Sequence, residues 1–425
     1  MDTQAFAIVA LGVIAFCLIT RRLEPTMLTG PMIFTAFGLV IGGAVLGVAN
    51  LDVDHGFIHG LAEVTLILVL FSDAARIDLA AVRKDHDLPL RMLLLAMPLT
   101  IVAGLLLALA LPLGLGFWEA ALLAAILAPT DAALGQSVVA SPRVPARIRQ
   151  ALNIESGLND GIALPLVLLF ASLASAFDSG GEERSWLLFG AMQIVLGPIT
   201  GVLIGGLSAR LIDRAVISGW MSVTYEGPAI LGVALLAFAG AELIGGNGFI
   251  AAFVAGLVFG NQVRGRCTFL FEFAEAEGQL LTLLTFLIFG AAILPEALGH
   301  FHWPVFLYAA LSLTVVRMLP IALSLVGLGL RLPTIAFLAW FGPRGLASIL
   351  FALFVLGETA IPSAPTIMAT VVTTVLLSIL LHGLSAAPAA RWYGDMIKRV
   401  GECRETRAVS EMPTRVGKPM GAAGE

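Results

Sequence analysis

Charge is scarce in this 425-residue chain. Asp, Glu, Lys and Arg make up 12% of it, against roughly 25% in a soluble domain. Apolar residues make up 59%, and the mean hydropathy is +0.97. That balance excludes an ordinary soluble enzyme or binding module. Cysteine is scarcer still: Cys17, Cys267 and Cys403 are too few and too scattered for a disulfide framework or a thiolate metal site. The six histidines show no HExxH spacing, so zinc hydrolase chemistry has no ligand set. Neither GxGD nor GxSG occurs, which removes the signatures of intramembrane aspartyl and serine proteases. No cofactor and no enzymatic activity are therefore expected. The net charge of −5 gives no reason to expect a nucleic-acid partner.

What the chain has instead is long apolar runs. A helix needs about 20 apolar residues to cross the hydrocarbon. Thirteen runs qualify, near 4–20, 28–48, 57–75, 92–113, 118–140, 150–177, 186–209, 223–243, 247–262, 273–297, 303–328, 334–357 and 364–386. The fold class is an all-α polytopic membrane protein with about 13 transmembrane helices. The first run can itself insert, so no separate signal peptide is needed. With the N-terminus outside and the C-terminus cytoplasmic, 21 of the 24 basic residues fall on the cytoplasmic side, as the positive-inside rule requires. The region 391–425 is a polar cytoplasmic tail, and from about 400 it lacks periodicity and reads as disordered.

Ionisable groups inside such runs cost roughly 3 kcal/mol each on the insertion scale, so function is sought there first. They are Glu63, Asp73, Asp131, Glu155, Asp160, Glu226, Glu242, Arg317 and Arg344. Glu63, Asp73, Glu226 and Glu242 also fit the edges of runs, where a snorkelling acid needs no function. The stretch NIESGLNDG, 153–161, opens an otherwise apolar run. On a helix Glu155 and Asn159 share one face and Ser156 and Asp160 the next, so four polar side chains form one stripe a turn tall. In AILAPTDAALG, 125–135, Pro129 breaks the helix and Thr130 and Asp131 follow. A second break lies at Gly342-Pro343-Arg344-Gly345. Irregular backbone at membrane depth is tolerated only where it lines a site. The broken runs are the fifth and the twelfth. If spans 1–6 and 8–13 are inverted repeats, the two breaks correspond, which points to a transporter with two crossing broken helices.

In this order, APTD, ESGLNDG and FGPRG resemble the motifs of the NhaP/NHE-type monovalent cation/proton antiporters. GPMIFTAFGLVIG and LFSDAARID are similar to that family's second and third helices. The resemblance covers roughly residues 1–390, the transmembrane antiporter domain. One departure is Ala132, where many members carry proline.

The resemblance implies the following roles. Asp160 would bind either a cation or a proton, which compete for it; that competition, carried alternately to each side, is antiport. Asp131 and Thr130 would coordinate the cation, Thr130 through its backbone oxygen, and Ser156 would add a side-chain oxygen. Asn159 would hold the site without titrating, and Asp73 would reach the cation through water. Glu155 would pair with Arg317, with Arg344 as a competing partner, and Arg344 would balance charge at the second break. Asn159, rather than a second Asp, implies electroneutral exchange of one proton for one cation. The cation is expected to be sodium; potassium/proton exchange on the same fold and a passive cation channel are the alternatives. The resemblance also implies a homodimer in the cell (inner) membrane. Its interface bundle would lie near 1–75 and 223–297 and its ion-binding core near 92–177 and 303–386. The pairs Gly43/Gly47, Gly201/Gly205 and Gly256/Gly260 read as ordinary helix packing rather than a dimer seam.

Overall fold

The computed structural model describes residues 3–23, 26–48, 55–131, 134–179, 183–263, 268–358, 361–407 and 409. Ala132, Arg264, Arg266 and the chain beyond Val409 lie outside them. The described residues form helices α1 (Thr3–Leu23), α2 (Gly30–Ile41), α3 (His55–Arg76), α4 (Leu79–Lys84), α5 (Asp87–Ala110), α6 (Phe117–Ile126), α7 (Gln136–Val139), α8 (Ala146–Ser179) and α9 (Glu183–Ile217). They continue with α10 (Glu226–Glu242), α11 (Gly248–Val263), α12 (Thr268–Ile288), α13 (Trp303–Ser324), α14 (Leu332–Trp340), α15 (Leu346–Glu358) and α16 (Ala364–Val400). Among them, 8 helices are long and apolar enough to cross a membrane. The apolar helices α2, α6, α11 and α15 are shorter. The thirteen runs thus do not all become complete spans. Two are broken part-way, and α2 and α11 stop at 12 and 16 residues. The runs near 223–243 and 247–262 are separate helices, divided by a turn that needs Gly245 at φ +77°.

Three wide π turns interrupt the long helices, at Met92–Ala96, Phe289–Ile293 and Ser312–Val316. Each lies just ahead of a proline: Pro98, Pro295 and Pro320. Proline lacks an N–H and crowds the carbonyl four residues back, and a wider turn absorbs both defects without ending the helix. Two of these turns sit in α5 and α13, in the fourth and eleventh apolar runs.

The packing falls into two groups. α9, α10 and α11 pack together, and α11 and α12 pack on α3, with α2 against α12. On the other side α5 packs on α6, α6 on α8, α13 on α14 and α16, and α15 on α16. Glycines set how closely the first group approaches. A Cβ at Gly256 or Gly260 would overlap the backbone carbonyls of Phe71 and Ala75 on α3. Gly201 and Gly205 meet α11 in the same way. These small-residue pairs therefore hold helices of one chain together. Gly43 has nothing near it, and Gly47 sits in a turn at φ +60°. Gly260→Val should destabilise the fold by about 1–3 kcal/mol through overpacking. A lowered melting temperature in detergent checks this; an unchanged one contradicts the contact.

The described part of the tail, through Arg407, differs from its sequence reading. α16 runs on to Val400 as a helix, and Gly401 ends it at φ +77°. The next residues dock instead of trailing away. Glu405 is 1% exposed and accepts hydrogen bonds from the Arg331 N–H at 2.9 Å and the Thr334 hydroxyl at 3.1 Å. Burial pushes the Glu405 carboxyl up, but hydrogen bonds from the Arg331 N–H, its own backbone N–H and the side chains of Cys403 and Thr334 together hold it below its ordinary value. Periodicity missed the segment because a short docked strap has no repeat; the Glu405 carboxylate holds it together with contacts of Arg404 and Arg147.

Candidate functional site

The two breaks cross. α6 ends at Ile126 and the chain runs irregularly through Asp131; α14 ends at Trp340 and residues 341–345 are non-helical. Each break satisfies the other's stranded backbone groups, as unwound helix ends away from water require. The Asp131 N–H donates to the Pro343 carbonyl at 2.8 Å, and Asp131 Oδ2 accepts from the Leu346 N–H at 2.8 Å. The Asp131 side chain thereby caps α15. A Cβ at Gly345 would overlap that carboxylate, so glycine is required there. In return the Arg344 guanidinium donates to the carbonyls of Ala128 and, at 3.0 Å, Pro129, at the open end of α6. Its charge sits where the negative end of the helix dipole is strongest. The Ser348 hydroxyl donates to the Ile126 carbonyl at 2.8 Å.

The polar stripe of α8 faces the first break. The Ser156 hydroxyl donates to the Thr130 carbonyl at 2.7 Å, and Asn159 Nδ2 donates to the Thr130 hydroxyl oxygen at 2.7 Å. Thr130 is thus bonded through both of its oxygens to one face of α8. Asp160 follows directly on that helix and is 6% exposed. Next to it, a Cβ at Gly161 would overlap the Phe253 ring, so α11 closes tightly over this turn. Asn159 Oδ1 is buried and has no hydrogen-bond partner among the described residues. An unmet buried acceptor costs about 1–3 kcal/mol.

Glu155 pairs with Arg317 and not with Arg344. The pair is two-pronged, with Nη1 to Oε1 at 2.5 Å and Nη2 to Oε2 at 2.9 Å. Both side chains are buried, and the guanidinium lies so close to Gly342 that a Cβ there would overlap it. The pair therefore joins α8, α13 and the second break at one point. Asp73 stands one helix away and is half-buried on α3. Its backbone carbonyl lies 3.8 Å from where a Cβ at Gly157 would be. Of the other acids, Glu242 Oε1 accepts from the Gly248 N–H at 2.7 Å and so bridges the turn between α10 and α11.

Residues 8–392 match the family described as "Sodium/hydrogen exchanger, transmembrane". The chain belongs to that family. Among similar proteins of this exchanger family, the K(+)/H(+) antiporter NhaP of Alkalimonas amylolytica is 25% identical over 398 residues, covering 92% of this chain and 67% of its own length. The K(+)/H(+) antiporter NhaP2 of Shewanella sp. (strain ANA-3) is 26% identical over 365 residues, covering 85% of this chain and 62% of its own length. The chain thus spans about two thirds of the length of these curated relatives. The fold is similar to the sodium proton antiporter MjNhaP1 from Methanocaldococcus jannaschii, solved at pH 8. The TM-score is 0.76 at 21% identity, with 94% of this chain and 99% of that one covered.

In this exchanger-family chain the sequence reading missed the support behind the second break. His382 Nε2 lies 2.9 Å from the Trp340 carbonyl, and Nδ1 lies 3.2 Å from the Ser378 hydroxyl. That hydroxyl oxygen accepts the Arg344 N–H at 2.7 Å. A neutral imidazole protonated at Nε2 donates to the Trp340 carbonyl and accepts at Nδ1 from the Ser378 hydroxyl. One buried histidine on α16 thereby holds both edges of the break. Its only sequence signal is a histidine four residues after a serine inside an apolar run. Nearby hydroxyls are self-contained: Thr370, Thr373 and Thr374 each donate to the carbonyl four residues back.

Proposed function

We propose that the protein is a secondary active transporter that exchanges one monovalent cation, sodium first, for one proton by alternating access. The observation that carries this reading is a buried carboxyl group beside a cluster of hard oxygens at the crossed breaks. Asp160 is buried on α8, the helix whose Ser156 and Asn159 bond both oxygens of Thr130 at the first break. Glu155 is paired with Arg317, and Asp131 caps α15. A carboxylate takes either one sodium ion or one proton, and each alone makes it neutral. A buried charge in low dielectric is costly, so the occupied, neutral forms are the ones that cross between the two sides.

Hard oxygens suit an alkali ion. The Asp160 carboxylate, both oxygens of Thr130, the Ser156 hydroxyl and Asn159 Oδ1 supply them, and Asp73 reaches the ion through water. Asp131 shapes the site through its cap on α15 while contributing charge. The Glu155–Arg317 pair holds the helices, and Arg344 balances charge at the breaks. α5, α6, α8 and α13–α16 form the moving core; the remaining spans form the scaffold and the interface of a homodimer. The N-terminus lies outside and the tail inside the cell membrane. The protein carries ions and performs no covalent chemistry. Potassium/proton exchange on the same site is the second reading, because NhaP and NhaP2 carry that name.

In proteoliposomes, sodium addition should drive proton movement at a rate that does not change when a membrane potential is imposed. A clear voltage dependence would refute the one-for-one cycle. Potassium and lithium in parallel assign the cation.

A further inference from the structure

Where α8 begins and α16 ends, a cavity of about 450 Å³ opens between two pieces of chain. One wall is the loop 142–145 and the first turn of α8, with Arg143 and Arg149. The other is the end of α16 and the docked tail, with Lys398 and Arg407. Among the described residues that line it there is no Asp or Glu.

The walls are held in place by specific contacts. A Cβ at Gly394 would stand 2.7 Å from the Arg143 carbonyl, so α16 touches the loop as closely as glycine allows. Arg149 Nε donates to the Val144 carbonyl at 3.0 Å and folds the loop onto α8. The tail wall is fixed by Glu405, by Arg404 Nη1 to the Leu328 carbonyl at 2.5 Å, and by Arg147 Nη1 to the Arg404 carbonyl at 2.6 Å. Sorting of basic residues to one side of a membrane explains four cations on this end. It does not explain a cavity that brings them together against their mutual repulsion. Ala146, the first residue of α8, also lines the cavity, and the first turn of a helix adds N–H donors and a positive dipole end.

We propose that this cavity binds a phosphate-bearing anion, held by Arg143, Arg149, Lys398 and Arg407. The anion joins the tail to the foot of α8, the helix that carries Ser156, Asn159 and Asp160. Its source is either a soluble phosphate compound or the headgroup of an anionic lipid. The site does not depend on the exchange reading, since binding is read without transport.

Two arms separate the sources. Inorganic pyrophosphate is titrated by calorimetry into the full chain in neutral detergent. Separately, protein from nanodiscs of mixed phosphatidylglycerol and phosphatidylcholine is examined by native mass spectrometry. The comparison is Arg143→Gln combined with Lys398→Gln, two exposed positions; Arg407→Gln is the second variant if the double one fails to fold. Saturable pyrophosphate binding that weakens about tenfold or more in the variant supports a soluble source, because each lost charged hydrogen bond is worth at least that much. Selective retention of phosphatidylglycerol, lost in the variant, supports a lipid source. No binding in either arm, or binding that the variants leave unchanged, overturns the proposal.

Discussion

Asp160→Asn should abolish exchange and leave the fold intact. The substitution keeps the size and shape of the side chain, replaces one acceptor oxygen by an NH2 donor and removes the charge. Position 160 is then neutral with no ion aboard, as the proposed native carboxyl is only when it holds a cation or a proton. Such a protein has no electrostatic reason to pick up sodium or a proton before it changes face. Flux in proteoliposomes should fall to that of empty vesicles. The melting temperature in detergent should hold or rise, because a buried charge that is costly to desolvate has been removed. Exchange at the native rate would show that the competing group lies elsewhere.

Glu155→Ala should fail differently, in the fold before the function. It strands the Arg317 guanidinium, which is 2% exposed and whose Nε already has no hydrogen-bond partner among the described residues. Removing one member of a buried pair costs about 3–5 kcal/mol, a large part of the stability of an ordinary domain. Folded yield and thermal stability should both drop, well beyond any effect of Asp160→Asn. Replacing both members, Glu155→Leu with Arg317→Met, should restore most of the stability, since an apolar pair of similar volume avoids the desolvation cost. A Glu155→Ala protein as stable as the native one would contradict the pairing.

Much of this was legible in the sequence, for a physical reason. Charge inside apolar runs is expensive, so each surviving charged residue marks a need. That logic picked out Asp131, Glu155, Asp160, Arg317 and Arg344 from composition and position, and the two prolines, Pro129 and Pro343, marked both breaks. Periodicity placed Ser156 and Asp160 on one face of a helix and Glu155 and Asn159 on the adjoining face, and in the structure Ser156 and Asn159 both bond Thr130. What stayed hidden was pairing across long stretches of chain. Two arginines were compatible with Glu155, and only three-dimensional packing assigns Arg317 to it. The cap that Asp131 places on α15 was invisible, because nothing in AILAPTDAALG names a partner 215 residues away. His382 and Ser378 were hidden for the same cause. The docked tail escaped because a strap held by a few side-chain contacts has no repeating pattern.

The central claim is that one carboxyl group holds a cation or a proton and never both. It is tested most directly by proton release from purified, unbuffered protein in detergent as sodium is added, with potassium and lithium in parallel. Linkage requires that a cation which competes with a proton displaces it, and that acidity weakens cation binding to the same degree. The account expects about one proton released per cation bound, at a pH where the site is protonated, and none from Asp160→Asn. Saturable cation binding with no proton release at any pH would contradict it.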